Sequence, residues 1–567
     1  MGGERSERRL TGLSQTARFE GLLWVIWDGA SFDVVQELLD SGELPALGSL
    51  LKGRVLWLQP LSPSCQTPPS LATLFTGAAI VDHEVTGYRM PSWKPGTSFV
   101  ESTSGFDPAA VQRPLIWDEL AAKGCWLGLS HVPWTGDKDA SRWPGSVAVH
   151  ALDRRLDQPR FIPVSAGAAQ RSGGQSLDLG GRALIVNEHD GVYEIVAPES
   201  GESVRVVPSR EVRFAERALR LGPGLATKVG LLIKPDSVLL LAHTGLWEMQ
   251  VQPRQRQQSL DAALGAFAGR SLGDAYHDGD LGARAMEGGA GAAEQALVAS
   301  ARLQVESFTR ACEFILRDAP TDGLVISYLP TIDEIQHEVF RWTGYGPAGE
   351  NVSRVREVLR STYALADEQL ARFLRHVGPR CKVVVASDHG AAVLRRNFHV
   401  NEALARAGLL RFDRQGGIDV RASQAAYHPA GNGSVWINTD DRAGGLVSRR
   451  MRRSVADSVE RILRDARDPQ TGLPPVEVKR LGEAERDKLG DLFLYSIVGY
   501  DCRSEPGPDG SEYSKTPKGG THVTPTGEST LRGVFATNQW GQIRDYDAGM
   551  TLADVHSVVR GLVTCSR

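Results

Sequence analysis

The sequence predicts an α/β protein: a mostly parallel central sheet flanked by helices, with a β-rich subdomain inserted into it. Three observations carry this. Unbroken apolar runs such as Leu22-Leu-Trp-Val-Ile-Trp27 and Val383-Val-Val-Ala386 suit strands covered on both faces. Long amphipathic stretches at about 292–317 and 352–375 fall between such runs, and strand, helix, strand in succession implies parallel neighbours. From Trp134 to Ala290 the pattern becomes short alternating stretches spaced by Gly, Asp and Pro, which suits antiparallel pairing.

Composition agrees with a soluble globular protein, at 41% hydrophobic and 23% charged residues over 567 positions. A net charge of −4 supplies no basic field, so a nucleic-acid polymer is not expected as a partner. No apolar run reaches the roughly 18 to 20 residues of a membrane helix, and the nearest, Val229 to Ala242, is broken by Lys234 and Asp236. No membrane association is therefore expected. Met1 to Phe19 is polar and Arg-rich without an apolar h-region, and is expected to be a disordered leader rather than a signal. The six cysteines, at 65, 125, 312, 381, 502 and 565, form no CxxC pair, and a reduced, cytoplasmic protein is expected.

In chain order, the first strand ends in Asp28-Gly29, placing a carboxylate at the strand's carboxyl end, where an open α/β sheet collects its ligands. Helices follow at Phe32 to Leu39 and from Leu44. Thr67-Pro68-Pro69 before an apolar periodic run reads as a helix start, where free N–H groups and the dipole favour an anion. As a nucleophile Thr67 would need activation, because an unaided Thr hydroxyl reacts poorly at neutral pH. The alternating stretches 183–186, 192–196, 203–207 and 237–242 make up the β-rich part, and the Gly- and Ala-rich 279–293 reads as its return linker.

The α/β rhythm resumes with helix 292–317 and strand 323–329. Asp333 and His337 stand four apart, on one face of a helical turn and close enough to grip one ion. After helix 352–375 the strand at 383–386 delivers Asp388 and His389, a hard carboxylate beside an imidazole, which suits a divalent ion such as zinc. Further on come a helix at 401–410, a strand at 433–438, a charged amphipathic helix at 450–467, His522 in the Gly-rich loop from Gly519, and a strand at 532–536. His399 and His428 carry no motif and are read as structural.

Trp27-Asp28-Gly29, Thr67-Pro68-Pro69 with Thr76-Gly77, Asp333 to His337, Ser387-Asp388-His389-Gly390 and Gly520-Thr521-His522 stand in this order. As an ordered set they resemble the alkaline phosphatase superfamily, most closely its type I phosphodiesterase/nucleotide pyrophosphatase branch, over residues 21 to 90 and 320 to 540. The resemblance implies an alkaline phosphatase-like domain from 20–133 and 291–567, interrupted by a cap-like insertion at 134–290. It implies that Asp333, His337 and His522 hold one ion, and that Asp28, Asp388 and His389 hold the other with the Thr67 oxygen.

The expected activity is hydrolysis of a small-molecule phosphate ester by a Thr67 nucleophile at a two-metal centre, with zinc as the expected metal and manganese as the alternative. One motif departs from the branch. An Asn usually follows the nucleophile helix, whereas this chain reads His83-Glu-Val-Thr-Gly-Tyr88-Arg89, so Tyr88 or Arg89 is the candidate contact for a non-bridging phosphate oxygen. Arg89 would add a charge suited to a monoester dianion. A phosphomonoesterase, a phosphonate hydrolase, a phosphomutase and a non-enzymatic phosphate-binding module stand as alternatives. A sulfatase is excluded, since Cys65-Gln-Thr-Pro-Pro lacks the Cys-x-Pro-x-Arg pattern.

Overall fold

The computed structural model describes residues 18–565, apart from 52–53, 93, 95, 137–141, 153, 235–236, 347–348, 524–527, 544–545 and 547–548. Most of the expected leader, up to residue 17, lies outside the described residues. Its last residue, Phe19, is buried and bridges to Val377.

An eight-stranded sheet organises the chain. Its strands are β1 (Leu22–Trp27), β2 (Leu56–Leu58), β3 (Leu127–Ser130), β4 (Val147–His150), β5 (Gln250–Gln252), β6 (Leu324–Leu329), β7 (Lys382–Ala386) and β8 (Gly533–Thr537). They lie in the order β5-β4-β3-β6-β1-β7-β8-β2. The pairs β1–β6, β1–β7, β3–β6 and β3–β4 are parallel, while β5, β8 and β2 add antiparallel edges. The sheet is thus mostly parallel, as the apolar runs predict.

Burial on both faces explains those runs. In β1, Leu23, Val25 and Trp27 join one core and Leu22, Trp24 and Ile26 the other, following the two-residue period of a strand. The first core is closed by α2 (Ala292–Arg317) and α4 (Ser353–Leu374), and the second by α1 (Thr67–Thr76) and the helix Leu552–Leu562. Phe75 of α1 meets Trp24 and Trp117 edge-on, with ring centroids 5.4 and 4.9 Å apart. Truncating such a buried ring costs about 3–5 kcal/mol. Packing therefore fixes the helix that begins at Thr67.

Antiparallel sheets fill residues 155–247, over a core of their own. The span read from sequence as 134–290 also supplies β4 and β5 to the central sheet. A further antiparallel sheet, with strands between 425 and 496, packs beside the carboxyl-terminal half.

The cysteines bring a correction. Cys125 and Cys565 form a disulfide across a separation of 440 residues, so the expectation of wholly reduced cysteines fails at this pair. Cys65, Cys312, Cys381 and Cys502 are free and buried. Among the described residues no helix is long and apolar enough to cross a membrane.

Candidate metal centre

Neighbouring parallel strands deliver the acidic residues. β1, β6 and β7 end side by side, with Ile26 facing Tyr328 and Ala386, so Asp28 and Asp388 leave one sheet edge together. Just past β6, α3 (Thr331–Val339) starts, and its Asp333 N–H donates to the Asp28 carbonyl at 3.1 Å. Gly29 permits this approach. Its φ of +73° lies in the left-handed region, and a Cβ there would fall 2.7 Å from Asp333 Cβ.

His522 arrives by strand pairing. Gly520–Thr521 bonds to Val393 and Ala392 just beyond Gly390, and the Gly519 N–H donates to the His337 carbonyl at 2.9 Å. Thr67 is the first residue of α1, with Gln66 at the N-cap and two prolines in the first turn, where their missing N–H groups cost nothing.

All seven expected ligand residues therefore converge, and six are nearly sealed: Asp28, Thr67, Asp333, Asp388, His389 and His522 are buried, while His337 is half-buried. The three imidazoles are oriented alike. Nδ1 of His337, His389 and His522 donates to the carbonyls of Gly520, Gly390 and Cys65, at 2.9, 2.9 and 2.7 Å, which frees each Nε2 to accept. Each Nε2 faces carboxylate: His337 and His522 lie 3.5 and 3.8 Å from Asp333, and His389 lies 3.5 Å from Asp28 and 3.3 Å from Asp388. Such separations exceed the usual 2.7–3.2 Å of an N–H···O bond and leave room for a cation between the partners.

The ligand atoms of Asp333, His337 and His522 lie within 4.8 Å of one another, and so do those of Asp28, Asp333 and His389. The two groups share Asp333. Asp388 stands beside the second group and accepts from the Gly29 and His389 N–H groups through Oδ1, at 3.2 and 3.1 Å.

Electrostatics favour occupancy by cations. Burial, followed by the Asp388 and Asp333 charges, pushes the Asp28 carboxyl far above its ordinary range, and burial also raises Asp388. Burial likewise acts to raise Asp333, but His337 and His522 outweigh it and hold it low. Burial and then the neighbouring His389 lower His522 to about 3, which keeps its ring neutral. Among the described residues Asp28 Oδ1 and Asp388 Oδ2 have no hydrogen-bond partner and are buried, a costly state that a divalent ion would relieve. The residues present thus fit a pair of such ions.

Thr67 Oγ1 lies 3.2 Å from His389 Nε2 and 2.7 Å from Tyr88 Oη. Tyr88 also lines a cavity of about 330 Å³ with Asp28, Asp333 and His337. Arg89 does not join them. It is exposed, and its Nε donates to Ser102 Oγ at 2.9 Å. His399 bonds the Glu505 carbonyl and Ser514, and His428 accepts from the Ala430 N–H, so neither meets the cluster.

Sequence reasoning missed several cavity residues. Tyr328, at the end of β6, donates to Asp28 Oδ2. Leu152, Pro159, Arg270 and Asp274 reach the cavity from the inserted span, and Lys518 from the approach to His522. Asp274, His277 and Glu338 form a third group of close ligand atoms beside it, but Arg270 and Lys518 already approach those carboxylates, at 3.9 and 3.8 Å.

A family model described as type I phosphodiesterase / nucleotide pyrophosphatase matches residues 22–165 and 266–524. Among solved structures, phosphonoacetate hydrolase from Sinorhizobium meliloti 1021 in complex with phosphonoformate is similar at 13% identity, over 96% of each chain, with a TM-score of 0.46. Human ectonucleotide pyrophosphatase / phosphodiesterase 5 is similar at 12% identity, over 97% of this chain and 96% of its own, with a TM-score of 0.44. An inactive murine form of that protein, in complex with AMP, gives the same figures. No curated protein matches the chain by sequence.

Proposed function

We propose, because the chain belongs to the type I phosphodiesterase / nucleotide pyrophosphatase family, that this phosphoric ester hydrolase acts by double displacement through Thr67 on a small-molecule diester. In this proposal Asp333, His337 and His522 hold one divalent ion, and Asp28, Asp388 and His389 hold the other. Zinc suits this mixture of imidazole and carboxylate, with manganese as the alternative. When bound, such a pair supplies Lewis-acid neutralisation of the oxygens that gain charge at phosphorus.

The chain's own groups do the rest. Thr67 gives up its hydroxyl proton and Oγ1 attacks phosphorus, the bond to one ester oxygen breaks and that group leaves as a protonated alcohol, and a threonyl phosphodiester carrying the second ester group forms; water then attacks its phosphorus, releases the phosphate monoester and restores the hydroxyl. The open N–H groups at the start of α1 favour the negative phosphoryl group held there. Tyr88 Oη, 2.7 Å from Thr67 Oγ1, donates to a non-bridging oxygen and takes the place of the missing Asn. Arg89 points to Ser102, so the extra cation that would favour a monoester dianion is not supplied from that position. The inserted span acts as a cap, since Leu152, Pro159, Arg270 and Asp274 form part of the cavity wall, and it selects the organic part of the substrate.

The observation that carries this reading is the convergence of Thr67 with two unpartnered buried carboxylate oxygens, Asp28 Oδ1 and Asp388 Oδ2. The test is a panel of p-nitrophenyl mono- and diesters, assayed with and without chelator, on the natural chain and on Thr67→Ala. Activity that needs metal, prefers the diester and disappears in the variant supports it, as does rapid-quench mass spectrometry finding Thr67 esterified to phosphate that still carries the second ester group. Full activity of Thr67→Ala on every ester refutes the nucleophile assignment.

A further inference from the structure

The run Ser448-Arg-Arg-Met-Arg-Arg453 has no part in the chemistry above. It opens α5 (Arg452–Asp465), a helix with no carboxylate in its first turn and no side-chain cap from Met451. Cations at the positive end of a helix oppose its dipole, and an anion is what that end favours. Here the helix end borders a pocket of about 280 Å³, against the strand Val476–Arg480 and α6 (Glu483–Leu489). Among the described residues, Arg449, Arg452, Arg453, Arg480 and Arg486 line it, with Asp491 as the one carboxylate of its wall.

The surrounding acids leave this charge only partly covered. Asp491 is engaged twice, by Arg452 Nε at 2.6 Å and by the Ile437 N–H at 3.0 Å. Arg480 pairs with Asp457 and Glu460, carried on α5 itself. Arg449 and Arg486 reach Asp441 and Glu483 only at 3.8 and 3.7 Å, and both carboxylates are exposed, so these pairs are weak. Among the described residues no acidic partner meets Arg453, and Arg486 Nε is buried without a hydrogen-bond partner.

We propose that this pocket is a second anion site, separate from the metal centre, that binds a multiply charged phosphate group. Planar guanidinium forks pair two-pronged with phosphate oxygens, and several forks around one concavity match a group that offers oxygens in several directions. A single carboxylate would satisfy only one of them. Among the described residues, Ala456 and Leu481 are the apolar members of the wall, so the ligand is held by its charge rather than by an organic body. The volume is that of a small ligand's site, not of an extended docking face.

The test uses the metal-loaded full chain and methylenediphosphonate, whose P–C–P bridge replaces the hydrolysable oxygen. Because the metal centre can take the same anion, calorimetric titration of the natural chain is compared with that of Arg449→Ala/Arg453→Ala. Both side chains are exposed, so the fold should be retained, and unchanged kcat/KM on a p-nitrophenyl ester verifies this. The natural chain should show a class of sites that the variant lacks or fills at least tenfold more weakly. Sedimentation with phosphatidylcholine vesicles, with and without phosphatidylinositol 4-phosphate, distinguishes a lipid-borne phosphate from a free one: variant-sensitive binding to the phosphorylated vesicles supports the site with the lipid as its source. Isotherms and vesicle binding that are the same for both proteins overturn the proposal.

Discussion

On the helical flank of the sheet, Glu313 of α2 is buried, yet Arg372 of α4 grips both of its oxygens, with Nε donating to Oε1 at 2.9 Å. Burial alone would raise this carboxyl, but the guanidinium outweighs it and holds Glu313 below its ordinary value. At the sheet's carboxyl edge Asp28 and Asp388 are buried still more deeply and meet each other, Asp333 and the His389 ring, and both are pushed up. The flank neutralises its buried charge from within the chain. The rim's two carboxyls are not neutralised in this way, and this difference separates a structural carboxylate from a candidate metal ligand.

The largest effect should come from the rim's supply of cations. Chelation, or Asp333→Asn in the residue shared by both ligand groups, should lower kcat/KM by about a thousandfold or more, whereas Arg372→Ala should leave it nearly unchanged in the same assay. In chemical denaturation the order reverses: Arg372→Ala should cost about 3 kcal/mol, since it leaves buried Glu313 with His376, 3.5 Å away, in place of a two-pronged guanidinium. The pH dependence follows from the sign of the shift. A lowered folded pKa gives Glu313 a stabilising contribution that is complete above its unfolded value near 4.5 and is lost as pH falls through the folded value. Arg372→Ala should therefore flatten the acid limb of the stability curve.

The contrast sharpens with Asp28→Asn. In chelated protein it should raise stability by about 1 kcal/mol, because it removes a buried uncompensated charge; with metal present it should lower the melting temperature, because it weakens ion binding. The same sign under both conditions would place Asp28 with Glu313 rather than with the ligands. The smallest effect is expected from Tyr88→Phe, about a tenfold fall in kcat with little change in KM, measured on a p-nitrophenyl diester.

Much of this was legible in the sequence because buried parallel strands leave no polar alternation, and a carboxylate just past such a run stands out. Asp28, Asp388 and the Asp333/His337 pair share that signal. Tyr88 was visible only as one of two candidates, since nothing local distinguishes a side chain turned toward Thr67 from Arg89, which turns toward Ser102. Tyr328 looked like any strand residue, because strand periodicity gives a face but not a hydrogen-bond partner. Arg270, Lys518 and the Cys125–Cys565 bond depend on packing between distant segments, and no short spacing announces them.

Gly29 bears on how far the metal centre can be altered. With Asp333 Cβ 2.7 Å from where a methyl group would stand, even alanine would act as a wedge between the first strand and α3. Since Asp333 serves both ligand groups, that wedge would spread the two at once. The spacing of the two candidate ligand groups is thus gauged by a missing carbon atom, and any redesign to widen it would have to begin at the one position that offers no side chain to adjust.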